Sequence, residues 1–384
     1  MNVFDVYPLF DITPARAQGA YVWDEKGTRY LDLYGGHAVI SIGHSHPHYT
    51  KRIARQLYDI GFYSNSVQMP MQQELAEKLG QLSGYEDYSL FLCNSGAEAN
   101  ENALKLASFH TGRKKVIAFK GAFHGRTSAA VAATDNPKIQ APINETDNII
   151  FLPLNDIAAY SQALQEYGTE LAAVIVEGIQ GVGGVQVPEP AFLKALAAGC
   201  EKTGALLILD EVQSGYGRSG KFFSHQHADI KPHLITTAKG MGNGFPVAGV
   251  LISPEIEAEH GMLGTTFGGN YLACAAALAV LEVMQEENLM QNAQQIGQYL
   301  MKALRQLPGV KEVRGQGLMI GVELDKPCAG IRKQLLSEHR IFTGSSSDKN
   351  TLRLLPPLCI GMREAEKFLE AFEAILYQTE PQTI

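Results

Sequence analysis

The stretch Ala205-Leu206-Leu207-Ile208-Leu209-Asp210-Glu211-Val212-Gln213 decides the reading of this chain. Gly204 precedes five apolar residues, which then break into acids. A short, continuously apolar run bounded in this way predicts a buried parallel strand with Asp210 at its carboxyl end. In open α/β sheets, ligands sit just beyond such ends. About thirty residues on, Leu234-Ile235-Thr236-Thr237-Ala238 forms a second such run, ending in Lys239-Gly240. An acid and a lysine at two strand ends point to carbonyl chemistry, because a desolvated lysine loses its proton readily and adds to an aldehyde or ketone.

Outward from this pair, apolar runs recur at Leu90–Cys93, Val116–Phe119, Ile149–Leu152, Ala173–Val176 and Val247–Ile252. Segments of helical periodicity separate most of them, as at Leu193, Leu196 and Ala197. Such alternation predicts a mostly parallel, doubly wound sheet with right-handed crossovers. The runs at 234 and 247 are close enough to be joined by a turn, which would make one strand antiparallel. Residues 270–290 read as one helix too rich in Ala and Leu to face solvent all round. From Pro308-Gly309 the texture changes to short strands (Val310–Val313, Leu318–Leu324, Ile341–Thr343, Leu352–Leu355) among helices near 288–306, 328–339 and 363–377, an α+β unit. At the other end, Tyr21–Trp23 and Tyr30–Leu33 read as a hairpin around Asp24-Glu25-Lys26-Gly27. The expected division is an N-terminal segment (1–48) joining the small domain, a large domain (49–280) and a small C-terminal domain (281–384).

Composition bounds the function. The 384 residues carry a formal net charge of −8, which argues against a nucleic-acid partner. Five scattered cysteines without a C-x-x-C suit a reducing compartment, not a disulfide frame or zinc site. The start, Met1-Asn2-Val3-Phe4-Asp5, lacks the features of a signal peptide. No apolar run reaches the ~20 residues a membrane helix needs. A cytoplasmic enzyme is the expectation. His37, His44, His46 and His48 lie close in sequence, but without accompanying acids or thiols at helical spacing they read as a turn and not a metal site.

Other motifs sit at strand ends. Cys93-Asn94-Ser95-Gly96-Ala97-Glu98 follows a strand and opens a helix, so backbone N–H groups and the helix dipole favour a phosphate there. It is no P-loop, since the Gly-Lys-Ser/Thr ending is missing. Phe123-His124-Gly125-Arg126-Thr127 offers a ring to stack on a flat cofactor and an arginine to fork onto a carboxylate. Glu177-Gly178-Ile179-Gln180-Gly181 is a glycine-rich loop but not a dinucleotide fingerprint. Thr265-Thr266 gives two hydroxyls before a helix, and Arg353 stands among apolar neighbours. An aspartate beneath a protonated pyridine and a lysine at an aldehyde form the pairing that pyridoxal phosphate sites use.

Taken in order and spacing, these motifs resemble the class III aminotransferases of the fold-type I pyridoxal-phosphate superfamily, from about Val22 to Pro357. Within that class the likeness is to members acting on acetylated or succinylated ornithine in arginine biosynthesis. The resemblance implies a large domain with a seven-stranded, mostly parallel sheet, a homodimer, and pyridoxal 5'-phosphate as cofactor. Lys239 would carry the cofactor and move the proton; Asp210 would pair with the ring nitrogen and Gln213 with the ring hydroxyl. Gly96, Ala97 and the partner subunit's Thr266 would hold the phosphate, with Phe123 stacked on the ring. Arg126, with Thr265 close by, would bind the substrate α-carboxylate, and Arg353 that of glutamate or 2-oxoglutarate; Glu177 would orient polar groups. The implied reaction moves the δ-amino group of an N-acylornithine to 2-oxoglutarate; ornithine, 4-aminobutyrate or another ω-amino acid is the alternative donor. Two positions depart from the pattern: Gly178 stands where relatives usually have proline, and Val182 where they usually have a glutamate that masks the clamp arginine. The second departure predicts a permanently open Arg353.

Overall fold

In the strand Leu171–Glu177 all seven residues are buried. Ala173 and Ile175 point into one apolar cluster, Val174 and Val176 into another. A strand apolar on both faces can exist only with helices on both sides, and that arrangement organises the molecule. The computed structural model describes residues 1–378.

In chain order the elements begin with strands β1 (Pro14–Gln18), β2 (Tyr21–Asp24) and β3 (Arg29–Asp32), followed by a four-residue turn α1 (Gly35–Ala38). Helices α2 (Pro47–Asp59) and α3 (Pro70–Ser83) lead into β4 (Ser89–Cys93), α4 (Gly96–Thr111), β5 (Lys115–Phe119), α5 (Ser128–Ala132), β6 (Ile149–Leu152), α6 (Ile157–Tyr167) and β7 (Leu171–Glu177). Then come α7 (Pro190–Thr203), β8 (Leu206–Asp210), β9 (Leu234–Thr237), β10 (Ala248–Ile252) and α8 (Tyr271–Glu286). The last part comprises α9 (Leu289–Leu304), β11 (Val310–Gln316), β12 (Met319–Leu324), α10 (Ala329–Ser337), β13 (Ile341–Phe342), β14 (Gly344–Ser345), β15 (Thr351–Leu354) and α11 (Met362–Gln378).

The central sheet has seven strands in the order β4-β10-β9-β8-β7-β5-β6. Strands β5 to β9 pair in parallel. β10 is antiparallel to both neighbours, as the short spacing after β9 led us to expect. α4 covers one face with its alanines, and α6 and α7 cover the other with Tyr160, Phe192 and Leu196. The apolar stretch after Asn270 forms α8, buried at every position from Ala273 to Leu281. It ends at Glu286, and a residue at φ +52, Asn288, turns the chain into α9, so the expected single helix over 270–290 is two.

The C-terminal strands form an antiparallel sheet, β11-β12-β15-β14. β13 does not join it: Ile341 and Phe342 pair in parallel with Leu31 and Asp32, extending the N-terminal hairpin sheet to β1-β2-β3-β13. One apolar cluster joins Leu31 and Leu33 to α8, α9 and α11, so the two ends of the chain share a core. β1 and β14 had no signal in the sequence, since β1 is mostly exposed and β14 has two residues.

Candidate active site

Register builds the site. Glu177 pairs across from Asp210, and Asp210 across from Thr236, three residues before Lys239. Three parallel strands thus deliver two acids and a lysine to one edge of the sheet. There they line a cavity of about 410 Å3 with Gly96, Ala97, Phe123, Arg126 and Gln213.

Asp210 is 4% exposed. Its Oδ2 accepts from Asn100 Nδ2 at 2.8 Å and stands 2.7 Å from His124 Nδ1; its Oδ1 accepts from the Val212 N–H at 3.0 Å. Asn100 is itself fixed by Thr236 Oγ1, 2.6 Å away. His124 Nε2 is buried without a partner among the described residues. Glu177 spends its carboxylate on two N–H groups, those of Phe123 at 2.9 Å and Gly181 at 3.0 Å. Burial pushes its acid up to about 7; nearby His124 opposes that rise and Asp210 adds to it.

Lys239 has φ +41, left-handed backbone that a side chain tolerates only where the surroundings impose it. Lys239 is half-buried and lines the cavity. Desolvation nonetheless pulls it down to about 8, against the attraction of Asp210 and Glu177. A lysine that gives up its proton near pH 8 has a far larger neutral fraction at neutral pH than an ordinary lysine, and the neutral amine is a nucleophile and a base.

α4 begins at the cavity wall. Ser95 caps it by accepting from the Glu98 N–H at 3.2 Å, and Gly96 and Ala97 occupy the first turn, where N–H groups have no helical acceptor. Gln213 is 8% exposed; its Nε2 donates to the His37 carbonyl (3.2 Å) and its Oε1 accepts from Arg353 (3.3 Å). Arg353 is buried and also donates through Nε to Ser345 O at 2.5 Å. Among the described residues it has no carboxylate at ion-pair distance, and desolvation lowers its affinity for the proton. Val182 lines the cavity, as does the exposed Arg126.

Three of the residues expected at the site do not line this cavity. Arg353 reaches it only through Gln213. Thr265 lies in the loop between β10 and α8, its Oγ1 accepting from Asn94 Nδ2 (3.3 Å) and the Gly268 N–H (3.1 Å), beside a separate hollow with Asn65 and Gln72. Thr266 is exposed beside Phe267, whose ring meets that of Phe62. The histidines diverge: His44 faces Asp32 (2.8 Å), His46 faces Glu287 (2.9 Å) and His48 faces Glu282 (2.6 Å). Asn100 and His124, the partners of Asp210, had been given no role. Asn100 was within reach, since it stands four residues after Gly96 and so shares its helix face.

A lysine and an aspartate at neighbouring strand ends of a sheet with this topology, facing a helix N-terminus, define a fold-type I pyridoxal-phosphate enzyme. The chain belongs to the class III aminotransferase family, whose model matches residues 5–376. It is 40% identical over 372 residues to an acetylornithine aminotransferase of Archaeoglobus fulgidus (96% of each chain). It is also 40% identical to that of Bacillus subtilis over 385 residues (98% of each). Among solved structures, an ornithine aminotransferase of Toxoplasma gondii superposes with a TM-score of 0.91 at 29% identity, covering 98% of this chain and 93% of that one. The protein is thus a transaminase using pyridoxal phosphate. The residues present fit that cofactor: a desolvated amine for its aldehyde, a buried carboxylate for its ring nitrogen, and unpaired first-turn N–H groups for its phosphate. Among the described residues no helix is long and apolar enough to cross a membrane.

Proposed function

We propose that the chain transfers the δ-amino group of an N-acylated ornithine, acetyl or succinyl, to 2-oxoglutarate, yielding the N-acyl glutamate semialdehyde and glutamate, a step of arginine biosynthesis in the cytoplasm. The observation that carries the chemistry is the convergence of Lys239 and Asp210 on one cavity with Arg126 open at its wall. The two acetylornithine aminotransferases, similar over nearly their whole length, support the substrate.

Bound there, pyridoxal phosphate supplies an aldehyde for the amine and a protonated ring that takes up the electrons of a breaking C–H bond. Asp210, fixed by Asn100 and His124, would keep the ring nitrogen protonated. Gln213 would bind the ring hydroxyl, Phe123 would lie on the ring, and Gly96 and Ala97 would hold the phosphate. Lys239 would hold the cofactor between turnovers and take the proton from the carbon bearing the amine. Arg126 would bind the α-carboxylate of the acylornithine, and Thr265, which lies outside its own cavity, would help there only from a second copy. Arg353 would clamp that of glutamate, and Glu177 would fix the loop around the ring. Free ornithine or another ω-amino acid such as 4-aminobutyrate is the second reading, favoured by the likeness to an ornithine aminotransferase. A panel of acetylornithine, succinylornithine, ornithine and 4-aminobutyrate tests it: kcat/KM highest for an acylated donor is expected, and preference for a free amine would overturn the reading.

Thr266, exposed and outside its own cavity, would reach the phosphate of a second copy, making the protein a homodimer. Light scattering showing an active monomer would refute this. The division into 1–48, 49–280 and 281–384 goes with the dimer. It is supported by the pairing of β13 with β3, though position 280 falls inside α8, and 379–384 lie outside the described residues.

A further inference from the structure

Behind the two acids of the site lies a second polar cluster that the chemistry above does not use. Glu211 follows Asp210 directly and is 1% exposed. Its carboxylate accepts from Ser214 Oγ (2.6 Å), from the Ser224 N–H (3.0 Å) and Oγ (2.9 Å), and from the His225 N–H (2.9 Å). It also stands 2.8 Å from His225 Nδ1, and His225 Nε2 meets the Tyr85 hydroxyl at 2.6 Å. Burial raises the proton affinity of Glu211, but His225 and the hydroxyl donors outweigh it and hold the acid below the usual carboxylate range.

A buried carboxylate is tolerable only when saturated with donors, and a saturated network holds its members in one arrangement. This one joins Tyr85, just after α3, and the turn at 224–227 to the loop after β8 that carries Gln213. Glu211 also accepts, through its carbonyl, from the Gly215 N–H at 3.0 Å.

Gly178 follows Glu177, and its N–H donates to the Asp210 carbonyl at 3.3 Å. A Cβ built on it would collide with Ser224 Oγ and lie 2.6 Å from Glu211 Oε1. The glycine that breaks the Glu-Pro pattern is therefore the steric counterpart of Ser224.

We propose that Glu211, Ser224 and His225 are positioning residues for the transamination site: they clamp the ends of β7 and β8 so that Asp210 and Gln213 meet the cofactor, and Gly178 is the residue their network requires. The inference rests on reading Asp210 and Gln213 as cofactor contacts. The test titrates apoenzyme with pyridoxal phosphate by absorbance and records the melting temperature and the donor KM for wild type, Gly178→Ala, Ser224→Ala, the double variant and Glu211→Gln. Wild type that fails to bind would sink the cofactor reading itself, apart from the network. With wild type binding, Gly178→Ala and Glu211→Gln should each weaken the cofactor at least about tenfold, the coupling expected of directly contacting groups. The double variant should regain only part of the loss, since it relieves the collision with Ser224 Oγ while the added Cβ still stands 2.6 Å from Glu211 Oε1, with donor KM little changed. Cofactor affinity kept while only the melting temperature falls, or a double variant no better than Gly178→Ala, would overturn the proposal.

Discussion

His124 Nδ1 stands 2.7 Å from Asp210 Oδ2, both side chains are buried, and the other ring nitrogen of His124 has no partner among the described residues. The imidazole thus acts on the acid from behind. Charged hydrogen bonds of this kind contribute about 1.5–3 kcal/mol. His124→Ala leaves Asn100 as the only side-chain donor to Oδ2, and kcat should fall about ten- to a hundredfold. His124→Asn, which can still donate, should recover part of it. Steady-state rates for the three proteins check this; an undiminished kcat in His124→Ala would remove His124 from the site.

Lys239 must be neutral to add to an aldehyde, and desolvation places its loss of the proton at about 8. The rate at which apoenzyme takes up pyridoxal phosphate should therefore rise with pH and level off above about 8, well below the range of an ordinary lysine. The stability sign runs the other way from the usual ion pair. The folded-state value is depressed, so the buried ammonium costs stability below about 8 and the cost is relieved as pH climbs toward the unfolded value. Lys239→Ala should show neither effect and lose about 10²- to 10⁴-fold or more in turnover, the range for removing a general base. A pH-independent uptake rate would count against the desolvated lysine.

Seven strands of the central sheet were legible because each is a short apolar run, and the antiparallel β10 because the interval after β9 leaves no room for a crossover helix. Asp210 and Lys239 were legible as the polar residues that close such runs. What the sequence concealed depends on contacts between distant segments. The partners of Asp210 come from α4 and from the loop after β5, and β13 chooses β3, three hundred residues away, over its neighbours in the chain. Gly178 reads as a plain departure in the sequence because Ser224, which fills the space beside it, lies 46 positions on.

Arg353 is buried, donates to Ser345 and Gln213, and has no anionic partner at ion-pair distance among the described residues. The Val182 carbonyl is tied to Ser347 N–H and Oγ (2.9 and 3.0 Å), which anchors this loop to the segment beside Arg353. Val182→Glu would add a carboxylate that competes for the guanidinium. KM for 2-oxoglutarate should rise about three- to tenfold, as a partly exposed ion pair worth about 1 kcal/mol implies, with kcat for the amine donor maintained. Unchanged donor preference and unchanged 2-oxoglutarate affinity would show that Arg353 is not freed by the valine.

Arg126 is the exposed cation of the cavity wall, with no ion pair among the described residues, so its fork is free for a ligand. The ornithine backbone of an N-acylornithine and glutamate are both five-carbon amino acids. With the reacting amine of either held at Lys239, the far end of each presents a carboxylate, the α-carboxylate of the acylornithine or the γ-carboxylate of glutamate. One arginine can serve both. Arg126→Ala should raise KM for both about ten- to a hundredfold, the loss expected for a charge-assisted pair. Arg126→Lys should fall between, because a lysine keeps the charge and loses the two-pronged geometry. Pyruvate, which lacks the distal carboxylate, is the control. Its KM as acceptor should be the same in all three proteins, and an equal rise for pyruvate would mean that the substitution disturbs the cavity at large and not one carboxylate contact.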